Sequence, residues 1–163
     1  MPYTLRPFRS DDAARLSEIF AEAVRVVGAH GYSAEQVRAW AARSPAAEAR
    51  ILERLSAGDW IMVTVGADDQ PVAYALLERD GHLDHLYCHP DHTRQGLADL
   101  LLESAEEQAR RLGCKRLYTE ASELARPAFE RAGYSVTHRR DFSIEQAGQD
   151  VPIHNYAMEK ALA

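Results

Sequence analysis

The chain has no long apolar run, no surplus of basic residues and almost no cysteine, and each absence removes a class of function. Its apolar stretches last only a few residues, too short to span a bilayer. The opening MPYTLRPFRSDD lacks the apolar core of a secretory signal. Only two cysteines occur, Cys88 and Cys114, and they show no pairing pattern. We therefore expect a cytoplasmic protein with no membrane partner. A formal net charge of −6 offers no basic surplus for phosphates, which argues weakly against nucleic acid. It leans equally weakly towards a cationic substrate, by steering. Repeats, low-complexity tracts and long linkers are also missing. What remains is 163 residues, 46% apolar and 27% charged, which suits a single domain over 1–163.

Hydrophobic periodicity supplies the elements. Tyr3 to Phe8 alternates as an opening strand. Ser10 reads as the cap of a helix carrying Leu16, Ile19, Phe20, Ala23, Val24 and Val27 on one face, ended by Gly28 or Gly31. Ser33 starts a second helix with Gln36 at the capping-box position, and Pro45 opens a third towards Leu55. The period then changes to two. Trp60 to Val65, Val72 to Leu77 and Leu83 to Cys88 read as a meander of three strands. Next come a helix over Leu97 to Leu112, a strand over Lys115 to Ala121 and a short helix over Ala125 to Ala132. Two strands, Tyr134 to Ile144 and Ile153 to Lys160, close the chain. The order predicts an α/β (α+β) sheet of mixed direction.

His89 to Leu102 (HPDHTRQGLADLLL) is the most informative stretch. A strand end, a polar turn with glycine and the first turns of an apolar helix direct several backbone N–H groups at one spot. That spot lies at the positive end of the helix dipole and seats a phosphate or pyrophosphate. In the preceding strand, Leu83 occupies one parity while Leu86 and Cys88 occupy the other. One residue too many around Asp84 and His85 reads as a β-bulge; otherwise Leu83 merely lies at the strand's edge.

Segment 82–134 resembles the core of the GNAT N-acetyltransferase superfamily, whose pyrophosphate loop follows the pattern Q/R-x-x-G-x-G/A. The pattern falls on Thr93, Arg94, Gln95, Gly96, Leu97 and Ala98, with threonine in place of the first residue. Ala125, Phe129, Gly133 and Tyr134 carry a second signature. Tyr32-Ser33-Ala34-Glu35-Gln36, Trp40 and the ending His154 to Lys160 resemble a YafP-like branch. The resemblance implies a GNAT fold with six or seven strands, helices on both faces, and acetyl-CoA between splayed parallel strands at 83–88 and 115–121. Leu86, Tyr87 and Cys88 would pair with the pantetheine arm as an added strand does. Thr93 and the amides from Arg94 to Asp99 would hold the pyrophosphate, with Ser122 and Phe129 near the acyl end. The Arg94 guanidinium either reaches a phosphate oxygen or lies solvated on the surface.

On that resemblance the expected reaction is direct acetyl transfer to a primary amine, without metal and without an acetylated enzyme. Asp84 is the leading general base, acting through water, with Glu120 as substitute. Many relatives donate the leaving proton from a tyrosine where this chain has Phe129; Ser122, Tyr118 and Tyr156 are the replacements considered. For the acceptor, His30, Tyr32, Gln36, Trp40 and His85 could line the first helices' side of the gap, although Trp40 and Val37 suit plain packing on the sheet equally well. Phe129 also keeps open a silent acyl-CoA-binding or regulatory domain. A second rival is a metal site built on His82, His85, Cys88, His89 and His92, which crowd into eleven positions. Alternate strand residues face opposite ways, so we expect no convergence there. The terminal strand offers a route to a homodimer.

Overall fold

The computed structural model describes residues 3–163, with Ser44 and Pro45 described by backbone alone. Strand β1 (Thr4–Pro7) leads through a 3₁₀ turn into helix α1 (Ala13–Glu22), followed by α2 (Ala34–Ala41) and α3 (Ser44–Ser56). Strands β2 (Trp60–Val65), β3 (Pro71–Leu77) and β4 (Leu83–Cys88) form the meander. Helix α4 (Leu97–Arg111), β5 (Arg116–Ala121), α5 (Arg126–Arg131), β6 (Ser135–Gln146) and β7 (Gln149–Ala161) complete the chain.

The seven strands make two antiparallel sheets, ordered β1-β2-β3-β4 and β5-β7-β6. Parity along β3 explains its unbroken apolar character. Tyr74 and Leu76 meet Leu16, Ile19 and Ile51 of α1 and α3, whereas Ala73, Ala75 and Leu77 meet Leu101 and Ala105 of α4. The alanines let α4 approach closely, and both faces of the sheet are covered by helix. Truncating Leu101 or Ile51, each with no exposed surface, would cost about 2–5 kcal/mol.

Three readings need correction. The first helix is not continuous to Gly28: after Glu22 it widens into a π turn over Ala23–Val27 and then tightens into 3₁₀ over Gly28–His30. Ser10 does not cap it; the Asp12 carboxylate accepts the Arg9 N–H at 2.8 Å and is gripped by Arg6. Finally, β7 is paired on both edges, by β5 and by β6, so it has no free edge for a second copy. The last hairpin also extends further than alternation implied, turning tightly at Ala147 and Gly148, both at positive φ.

Candidate active site

The site begins where the two sheets meet. His82 and Tyr118 form a single isolated parallel bridge, with Tyr118 N–H donating to Gly81 O at 3.0 Å. One step further, the Thr119 hydroxyl donates to Leu83 O at 2.8 Å. Beyond that point no bridge joins β4 to β5 among the described residues, and the strands part into a wedge. At the same place the β3–β4 register slips: Leu77 faces Leu83, Leu76 faces His85, and Asp84 is the extra residue. The bulge read from the sequence is there, and it turns the Asp84 side chain to the wedge.

Past the bulge the ladder is regular. His89 N–H bonds Val72 O at 2.8 Å, so Tyr87, in phase with it, directs its backbone to β3. Leu86 and Cys88 therefore turn theirs towards the gap. Of the three residues expected to pair with an arm laid in the wedge, two are oriented for it and Tyr87 is not.

Two cavities share the wedge. The larger, about 730 Å³, is lined by Asp84, His85, Glu120, Arg43, Arg50 and Arg140 among its polar groups, with Phe20, Tyr32, Trp40 and Phe142 among its rings. The smaller, about 150 Å³ and largely apolar, runs beside Cys88, Thr93 and Ala98 towards α4 and is walled by Ala23, Val24 and Val27 of the π turn. Leu86, Tyr87, Trp40, Ser122 and Ala125 border both. Phe129 borders the larger one and packs edge-on against Tyr134. At the far end, Arg94 and Gly96 adopt positive φ, and a Cβ placed on Gly96 would meet nothing within 4 Å. No side chain caps α4, which leaves the N–H groups of Leu97, Ala98 and Asp99 without an intrahelical acceptor. An open, uncapped helix end beside an apolar slot fits a pyrophosphate with a pantetheine arm. Leu97 sends its side chain into the core, and Asp99 pairs with Arg131 at 3.2 Å, so only their backbone is available. The Thr93 hydroxyl donates to Pro90 O at 3.2 Å.

Electrostatics divides the histidines. Burial opposes charge on His82, yet hydrogen bonds to Glu120 (2.8 Å) and Glu78 outweigh it and push its pKa up to about 9. Burial holds His85 down to about 4. Its Nδ1 meets the fully buried Tyr74 hydroxyl at 2.9 Å. Among the described residues that hydroxyl has no second acceptor, so it donates, which puts the His85 proton on Nε2, 3.6 Å from Asp84 Oδ2. Asp84 is also approached by Arg50 (3.2 Å) and Arg54 (3.7 Å). Cys88 is raised to about 11 by burial, with its thiol towards the His89 and His92 carbonyls.

Several candidates lie elsewhere. Tyr118 is outside both cavities; its hydroxyl donates to Asp80 and its ring stacks on His82. Tyr156 donates to Glu123 at 3.0 Å, beside a Glu123–His154 pair at 2.6 Å. His30 is exposed and borders neither cavity. Gln36 is consumed by its capping box with Ser33 and a bond to Pro152 O. The His82–His92 group does not converge: His82 faces carboxylates, His85 faces Tyr74, and Cys88 faces carbonyls. Among the described residues, Glu78, His82 and Asp84 do bring donor atoms within 4.8 Å, but Arg54 already bonds Glu78 there. The sequence reading missed Arg43, Arg50, Arg140, Phe142 and His154. Those on β6 and β7 follow from the long final hairpin, whose Ala147-Gly148 turn was the available signal.

No helix is long and apolar enough to cross a membrane among the described residues. A family model described as an acetyltransferase (GNAT) domain matches residues 29–159. The chain is 29% identical over 136 residues to the uncharacterized N-acetyltransferase YafP of Escherichia coli (strain K12), covering 83% of each chain. Among solved structures, a GCN5-related N-acetyltransferase from Rhodopseudomonas palustris is 32% identical, with a TM-score of 0.86 over 99% of this chain and 97% of that one. The PaiA N-acetyltransferase of Thermoplasma acidophilum, solved with coenzyme A, is 18% identical with a TM-score of 0.78, covering 99% of this chain and 100% of its own; at that identity the likeness concerns the fold.

Proposed function

The chain belongs to the GNAT acetyltransferase family, and from that premise we propose that it transfers the acetyl group of acetyl-CoA directly to a primary amine. The observation that carries the reading is the wedge. It is closed at His82–Tyr118, opens past Asp84, and ends at the uncapped start of α4. Leu86 and Cys88 would bond the pantetheine arm, and the amides of Leu97 to Asp99 would hold the pyrophosphate.

In this reading the amine nitrogen attacks the thioester carbonyl carbon, the C–N bond forms and the C–S bond breaks. Asp84 takes the amine proton through water, while Arg50 at 3.2 Å holds its carboxylate. Ser122 borders both cavities, and its oxygen accepts from Ala125 N–H at 3.1 Å, leaving its own proton uncommitted among the described residues. It is the best-placed donor to the departing thiolate. A thiol with an ordinary pKa of about 8.5 also leaves without strong assistance. Cys88, held as a thiol, supports direct transfer rather than an acetylated enzyme.

Phe129 in the place of a proton-donating tyrosine favours a second reading, an acyl-CoA-binding domain without turnover. Calorimetry with acetyl-CoA, followed by coenzyme A release across an amine panel, decides between them. Binding with turnover supports transfer, binding without turnover for any amine supports the silent domain, and absence of binding removes both.

A further inference from the structure

We propose that the acceptor amine also bears a carboxylate, which Arg43 and Arg140 bind across the larger cavity from Asp84. The inference rests on the acetyltransferase reading above and names its substrate class.

Three guanidiniums line this cavity, and they are not equivalent. Arg50 is committed to Asp84 at 3.2 Å. Arg43, from the turn between α2 and α3, makes no side-chain hydrogen bond or ion pair among the described residues. Arg140, from β6, bonds only the neutral amide oxygen of Asn155 at 3.0 Å and rests over the Phe142 ring at 5.4 Å. Asp84 is ion-paired with Arg50 and Glu120 with His82, so neither carboxylate is ion-paired to Arg43 or Arg140. The lining is balanced, three arginines against Asp84, Glu120 and Glu145, yet Arg43 and Arg140 are the two left without a carboxylate partner among the described residues. Two guanidiniums without a carboxylate partner, rather than the net charge of −6, set which substrate group they can bind.

A planar guanidinium fork matches a carboxylate in two parallel hydrogen bonds. The two guanidiniums without a carboxylate partner among the described residues come from the outer walls, the α2–α3 turn and β6. The reacting side is formed by the bulge of β4 and the end of β5. Between these walls stand Phe20, Trp40 and Phe142, which suit an apolar body. About 730 Å³ is room for a substituted molecule, well beyond a bare alkylamine. The acceptor that satisfies all three parts is an amino acid or amino-carboxylic acid with an apolar body.

The test uses matched acceptors at saturating acetyl-CoA: L-phenylalanine, L-leucine and 6-aminohexanoate, each beside its amide and its decarboxylated amine. Coenzyme A release should favour the carboxylates in kcat/KM by about 10- to 100-fold, the size of a charge-assisted contact. Arg43→Gln and Arg140→Gln should erase that margin by raising KM, with acetyl-CoA affinity unchanged as the control for folding. In parallel, calorimetry of the coenzyme A-loaded protein should show N-acetyl-L-phenylalanine binding better than N-acetylphenethylamine. Carboxylate preference in binding, with no turnover on any amine, would overturn the transfer reading and uphold this site. Equal treatment of the matched acceptors in both measurements, or a margin untouched by the arginine substitutions, overturns the proposal itself.

Discussion

His82 Nε2 stands 2.8 Å from Glu120 Oε1 while its Nδ1 faces Glu78, so one imidazole ties the start of β4 to β5 where the strands begin to part. Its pKa, raised from 6.5 to about 9, makes this tie a pH-dependent contribution to stability. A raised pKa means the contribution is whole below about 6.5 and is lost as the pH climbs through about 9. Its size is on the order of 2–3 kcal/mol. Thermal midpoints measured from pH 6 to 9.5 should fall for the native chain and stay flatter for His82→Gln. Parallel curves would show that the fold leaves the His82 pKa unshifted.

His85 supplies the opposite limb. Its pKa is lowered by burial to about 4, so its contribution is present above about 6.5 and fades as pH falls towards 4. His85→Asn should soften the acid limb of the same midpoint curve. An unaltered acid limb would mean that other groups govern acid unfolding.

Two glycines should show different main effects on substitution by alanine. At Gly81, φ is +99° and an added Cβ would lie 2.3 Å from Arg116 O, backbone against backbone at the wedge apex. Gly81→Ala should cost about 2 kcal/mol or more and lower the unfolding midpoint by several degrees. At Gly96 the added Cβ meets nothing, so Gly96→Ala pays only about 1–2 kcal/mol of left-handed backbone strain. Its main effect should be weaker acetyl-CoA binding, because the open space is where the pyrophosphate would rest. Gly96→Glu adds bulk and negative charge there and should abolish binding. A Gly96→Glu protein that binds acetyl-CoA normally would rule out this placement of the loop.

These glycines also mark what the sequence made legible. A glycine between strand and helix, and a change of phase at Asp84, are local signals, and both features formed where they were read. The buried face of α1 at Leu16, Ile19 and Phe20 followed from period alone. Tyr118 failed for a positional reason: it shares a face with Glu120 but lies two residues, about 7 Å, nearer the closed apex. His30 failed because the π turn over Ala23–Val27 changes the helical phase before it. Arg43 and Arg140 belong to no motif; only the fold brings a helix turn and a β6 residue to one cavity.

Asp84→Asn keeps the shape of the side chain and removes its capacity to accept a proton. Turnover at neutral pH should fall by about 10²–10⁴-fold with acetyl-CoA affinity little changed. The loss should shrink at high pH, where the acceptor amine deprotonates by itself. Equal turnover at every pH would remove Asp84 as the base and turn attention to Glu120, which borders the same cavity.

Cys88 offers a check on direct transfer that does not depend on the acceptor. Its thiol borders the smaller cavity, and burial raises its pKa to about 11. At pH 7.5 it is almost wholly protonated, and a thiol attacks a thioester far more slowly than a thiolate. An acetyl group transiently held on Cys88 would also have to leave a residue whose Sγ lies 3.4–3.5 Å from the His92 and His89 carbonyls, turned to its own loop. Cys88→Ala should therefore retain turnover to within a fewfold, the remainder reflecting a small gap in the cavity wall. Brief mixing with radiolabelled acetyl-CoA, without acceptor, should leave no label on the denatured protein. Stable label lost on Cys88→Ala would replace direct transfer with a two-step route through that sulfur.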